Sequence, residues 1–185
     1  MKTGFTLLEL VVTVGVVLII SLLILADFPE FTRRLELSRT AQAVASSFRQ
    51  AESAALAVRE FSAEVFPAYG LHFENLPAKS YVFFADIDQD YKTSSPDGFY
   101  DGPSEEVDTF TINTPVEIYK ICGGESGEGA DCSITRLDVL YARPNPDIYI
   151  ITDKGSFLNV EIFVRLTTGA EKKIAIWTTG QLSIE

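Results

Sequence analysis

Three carboxylates at alternate positions, Asp86-x-Asp88-x-Asp90, form the densest group of chemically capable side chains in the sequence. Their spacing fits the first ligand positions of an EF-type loop, where hard oxygen donors converge on one calcium ion. The rest of that template is missing. Tyr91 stands where a sharp-turn Gly belongs, Asp97 stands where a bidentate Glu belongs, and no flanking helices are predicted. Two readings follow: Asp97 and Asp101 fold back onto the first cluster and complete a non-EF calcium site, or residues 86–108 form a solvated acidic loop. That stretch sets eight acidic residues against Lys92 alone, and so carries seven of the eleven net negative charges of the chain.

Other chemistry is scarce. His72 is the single histidine, so a Ser-His-Asp triad would have to use it, and with Cys122 and Cys132 it supplies only three soft ligands for zinc. A net charge of −11 disfavours nucleic acid as a partner, because affinity for phosphate backbones comes mainly from clustered Lys and Arg. Thirteen Phe and seven Tyr in 185 residues exclude intrinsic disorder, since disordered chains are poor in such groups.

The remaining ionisable oddity is Glu9, the one charged residue in the apolar run 5–26. As a helix, residues 5–25 would span roughly 32 Å, about one bilayer core. Lys2 ahead of the run places Met1 in the cytoplasm and the rest of the chain outside. A cleaved secretory signal needs a shorter apolar core and an A-x-A-like site, and this run ends instead in Leu25-Ala26-Asp27-Phe28-Pro29. A carboxylate inside such a segment costs on the order of 2.5–3.5 kcal/mol at the bilayer centre, so a partner is expected unless it snorkels to the cytoplasmic face.

Gly4-Phe5-Thr6-Leu7-Leu8-Glu9-Leu10 resembles the class III signal of type IV pilins and type II secretion pseudopilins. The resemblance implies cleavage after Gly4 by a prepilin peptidase, methylation of the new N-terminus at Phe5, and a Glu9 that neutralises the N-terminal amine of an adjacent subunit during assembly. It also implies other pilin or pseudopilin subunits and an inner-membrane assembly platform as partners. A buried carboxylate paired with a buried ammonium is far less costly than either alone, which agrees with that role.

The elements that position these residues follow from periodicity. Leu37, Ala41, Val44, Phe48, Ala51, Ala55 and Val58 make one helical stripe, so a single helix is expected from Phe5 to about Phe61, kinked or interrupted at Pro29 and packed by that stripe on a sheet. Beyond about residue 63, short β-branched and aromatic runs predict an antiparallel sheet with strands at 69–73, 81–85, 109–112, 116–121, 138–142, 148–152, 160–166, 172–177 and 182–184. The last three are joined by Gly-containing hairpin loops. His72 and Trp177 fall in strands and read as structural. In an exported domain Cys122 and Cys132, which bracket a Gly-rich stretch, are expected to pair and to constrain the unfolded chain by about 2–3 kcal/mol.

The predicted organisation is therefore a leader 1–4, an apolar helix 5–26, its amphipathic continuation 27–62, and a globular β domain 63–185: an α+β, pilin-like fold. The layout, with Tyr81-Val82-Phe83-Phe84-Ala85-Asp86, Lys173-Ile174-Ala175-Ile176 and Gly180-Gln181-Leu182, is similar to the H-type minor pseudopilins and their fimbrial T-type relatives. The function expected is that of a non-enzymatic filament subunit of the inner membrane with its globular domain outside the cytoplasm. The competing reading is a membrane-tethered binding module or hydrolase that uses the helix only as an anchor.

Overall fold

The computed structural model describes residues 6–57, 60–61, 66–89, 99–113, 115–124, 129–142, 147–167 and 169–185. By its contacts the chain divides into two compact units, Met1–Leu35 and Glu36–Glu185.

Helix α1 runs over Leu7–Leu56 and passes through Pro29 without interruption. Of the kink or interruption expected at Pro29, the interruption is absent, although proline removes an intrahelical donor and crowds the carbonyl one turn earlier. Thr32 donates its hydroxyl to the Phe28 carbonyl and Arg34 pairs with Glu30 one turn away, both at 3.0 Å. The helix ends five residues earlier than its periodicity promised, and Phe61 already takes bridge geometry and packs against the core. In the first unit, the large apolar residues from Leu7 to Leu25 are exposed on all sides of the helix, which is long and apolar enough there to cross a membrane. In the second unit, Leu37, Ala41, Val44, Phe48, Ala51 and Ala55 are all buried as the stripe requires, while Val58 lies outside the described residues.

Eleven strands follow among the described residues: β1 (Ala68–Phe73), β2 (Ser80–Asp86), β3 (Glu106–Thr111), β4 (Val116–Gly123), β5 (Asp131–Ile134), β6 (Leu137–Ala142), β7 (Asp147–Thr152), β8 (Gly155–Ser156), β9 (Asn159–Leu166), β10 (Glu171–Trp177) and β11 (Leu182–Ile184). They form two antiparallel sheets rather than the single sheet expected, ordered β3-β2-β1-β6-β7-β8 and β11-β10-β9-β4-β5. One core joins the helix stripe to the inner faces of both: Tyr69, Leu71 and Phe83 from the first, Ile118, Ile162 and Ile174 from the second. Phe48 stacks on Phe73 at 5.8 Å, and Ser47 shares a buried hydrogen bond of 2.9 Å with the Tyr81 hydroxyl.

β3 begins three residues ahead of its expected start, and β5 and β8 are additional. All three are short or exposed, so they lack the apolar alternation that marks a half-buried strand. The disulfide Cys122–Cys132 is formed and ties the edge strand β5 to β4.

The first sheet also has a packed outer face. Gly70 makes it possible, since a Cβ there would lie 2.7 Å from both the Phe84 ring and the Val139 carbonyl. With that space open, Phe84 lies in a second apolar cluster with Ala68, Phe99, Leu140, Ala142 and Ile151. Phe99 comes from the acidic stretch 86–108, so residues 99–100 form a strap packed on the sheet.

Candidate functional site

At the N-terminus Gly4 and Phe5 lie outside the described residues, and the site begins with Thr6 and Glu9. The Thr6 backbone N–H and hydroxyl both donate to Glu9 Oε2 at 3.0 Å, and the Glu9 N–H donates back to the Thr6 hydroxyl at 3.3 Å. This reciprocal pattern is a capping box, which satisfies helix-end donors that would otherwise have no partner. Thr6-x-x-Glu9 ahead of an apolar run was a readable signal for it. Glu9 thus has a local duty in a lone chain, and a simple tether would also have use for it.

The acidic loop converges at its two ends. Asp86, at the end of β2, points to the outer face of the first sheet, and Asp88 follows one turn residue later. Gly102, with φ of +119°, turns the chain so that Glu105 returns to them. The Ala85 N–H donates to the Glu105 carbonyl at 2.9 Å and fixes that approach. Oxygens of Asp86, Asp88 and Glu105 then lie within 4.8 Å of one another.

Two of these carboxylates, Asp86 and Glu105, are buried, and Asp88 is exposed. Glu105 accepts backbone N–H bonds from Ile87 at 2.9 Å and Asp101 at 3.0 Å, and Asp86 accepts one from Gln89 at 2.7 Å. Burial pushes the Glu105 carboxyl above the ordinary carboxylate range; the two N–H donors oppose this, and the charges of Asp88 and Asp101 add to it.

The converging trio therefore differs from the expected ligand set. Asp86 and Asp88 belong to it, while Asp90 and Asp97 lie outside the described residues. Asp101 enters by its backbone N–H, and Glu105 was missed because sixteen intervening positions separate it from Asp88 with no motif to link them. Three hard oxygen donors so placed have the chemistry of a calcium-type cation site.

His72 in β1 and Asp138 in β6 are cross-strand partners on that same outer face. His72 Nδ1 and Asp138 Oδ1 are 2.5 Å apart, both residues are buried, and Asp138 Oδ2 accepts the Phe99 N–H at 3.2 Å. The Tyr100 ring lies 4.7 Å from the imidazole. The second ring nitrogen, Nε2, faces Glu74 at 3.5 Å, where a hydrolytic triad would need a hydroxyl nucleophile. This group pins the strap to the sheet. Trp177 closes the β10–β11 hairpin, its backbone N–H donating to the Gln181 carbonyl at 3.0 Å.

No protein-family model matches the chain, and no curated protein or solved structure is significantly similar to it.

Proposed function

We propose that this protein is a pilin-like assembly subunit of a type II secretion pseudopilus or type IV pilus-like filament. It waits in the inner membrane through residues 5–26, is cut by a prepilin peptidase after Gly4 and methylated at Phe5, and joins other subunits at an assembly platform through its N-terminal helix. It performs no chemistry of its own. The observation that carries this reading is the sequence Gly4-Phe5-Thr6-Leu7-Leu8-Glu9-Leu10 at the head of a helix that is long and apolar enough to cross a membrane. The tethered-hydrolase alternative has less support, because its one available imidazole is buried against two carboxylates. Intact-mass measurement on protein from its native host should show the loss of residues 1–4 and one added methyl group. Met1 retained in assembled filaments would sink the proposal.

We also propose that the acidic corner takes a calcium ion held by Asp86, Asp88 and Glu105, with Asp90, Asp97 and Asp101 as the further candidate ligands of the loop. Millimolar calcium should raise the melting temperature of the whole protein by about 3–5 °C, the mass-action gain for a site filled roughly tenfold above its dissociation constant. The pH dependence has a definite sign. Burial makes the folded state bind a proton at Glu105 more readily than the unfolded chain does, so acidification favours the protonated, calcium-free corner. The calcium gain should be largest at neutral pH, shrink on acidification, and vanish in Asp88→Ala, whose exposed side chain can be lost without cost to the core. An equal response from wild type and Asp88→Ala would leave a solvated acidic loop.

A further inference from the structure

Residues 28–35 of α1 are unlike the helix on either side of them. Ahead of them every apolar residue from Leu7 to Leu25 is exposed, around the whole circumference. Behind them the core begins at Leu37. Between the two, Phe28, Phe31 and Leu35 are exposed at 61%, 59% and 39%, yet they occupy one side only. At about 100° per residue they fall with Ile24 inside an arc of roughly 60°, while Glu30 and Arg33 lie on the opposite side. All three residues lie within the first compact unit.

We infer that the Phe28–Phe31–Leu35 face is a lipid-docking surface, seated in the headgroup and upper acyl layer of the extracytoplasmic leaflet before assembly. The inference rests on the membrane reading above and adds a second contact to it. Length supports it: from Leu7 to Leu35 the helix covers about 42 Å, against roughly 30 Å of hydrocarbon and 40–45 Å of whole bilayer. An upright helix would carry Leu35 to the edge of the headgroups, whereas a tilt within the usual range lowers one face of residues 28–35 into them. A face that is lowered needs apolar groups, and the face that is raised needs charge. Phe28, Phe31 and Leu35 supply the first, Glu30 and Arg33 the second. Continuity favours lipid over a second helix as the occupant, because from Ile24 onward the stripe runs directly out of a segment whose apolar residues are exposed on every side.

The test uses the full chain in phospholipid vesicles whose acyl chains carry bromine at shallow or deep positions. Phe31→Trp reports the stripe, Leu18→Trp the membrane interior, and unaltered protein the background from Trp177. Leu18→Trp should be quenched best by deep bromine. Phe31→Trp should be quenched about twofold better by shallow than by deep bromine and weakly by aqueous acrylamide. If Leu18→Trp responds as expected while Phe31→Trp is open to acrylamide and untouched by bromine, the stripe faces water and the inference is overturned with the membrane reading intact. If Phe31→Trp is shielded from both quenchers, another protein helix covers it, and the lipid assignment is again overturned. Failure of Leu18→Trp to respond to any bromolipid defeats the membrane reading itself.

Discussion

Glu9→Gln should leave the protein in the membrane at its normal level and reduce its incorporation into filaments at least tenfold. The choice of Gln over Ala follows from the capping box. A Gln amide oxygen can accept the Thr6 N–H and hydroxyl as Glu9 Oε2 does, so the first turn of α1 keeps its cap. What Gln cannot supply is the negative charge. In the proposed assembly the N-terminal amine of a neighbouring Phe5 enters the same apolar layer, and a buried charge stripped of its partner costs about 3–5 kcal/mol. At 1.4 kcal/mol per factor of ten, that exceeds a tenfold loss of incorporation. Glu9→Ala loses both cap and charge, and the two variants should fail alike if charge governs assembly. Recovery of normal incorporation with Gln, but not with Ala, would mean that Glu9 serves only the helix end. The measurement is the ratio of subunit in sheared filaments to subunit in membranes.

That a capping box and an assembly carboxylate can share one residue shows where sequence reading stopped short. Glu9 stood out as a charge in an apolar run, and Thr6, three positions earlier, was needed to see its local bond. The helix itself was legible because both its signals are local: apolar residues on all sides up to Leu25, then the spacing of Leu37, Ala41, Val44 and Phe48. The β9–β10–β11 meander was legible for the same reason, since Val160, Ile162 and Val164 alternate and Gly169 and Gly180 mark the turns. Partition into two sheets was not, because alternation tells which face of a strand is buried and says nothing about its neighbour. β4 pairs with β9 across some forty intervening residues, and β1 pairs with β6 across more than sixty.

The site divides along the same line. Asp86 and Asp88 were visible as a pair, and Cys122 and Cys132 as another, because each pair sits within one short segment. Glu105 and the His72–Asp138 contact depend on register and on the chain reversing at Gly102. A polar residue in an otherwise apolar strand, such as Asp138 between Leu137 and Val139, was the available hint that something buried would need it.

Asp138→Ala should be the most damaging single change in the globular unit that leaves the main core untouched. Both of its carboxylate oxygens are occupied, Oδ1 by the His72 imidazole at 2.5 Å and Oδ2 by the Phe99 N–H at 3.2 Å, in a site closed to water. Truncation leaves two polar groups there without an acceptor, at about 1–3 kcal/mol each. A loss of roughly 3–5 kcal/mol corresponds to a fall in melting temperature of about 10 °C for a chain of this size. The damage should also have an address. The Phe99 N–H is the backbone link from residues 99–101 to the outer face of the first sheet at Asp138, so amide exchange should accelerate first at residues 99–101, while the β9–β10 ladder keeps its protection. Pairing the change with His72→Phe supplies the decisive comparison. Removing the imidazole as well abolishes one of the two orphaned groups and keeps a ring beneath Tyr100, so the double variant should be more stable than Asp138→Ala alone by about 1–2 kcal/mol. If the two single losses simply add, His72 and Asp138 do not act as a pair, and Asp138 serves residues 99–101 through the Phe99 N–H alone.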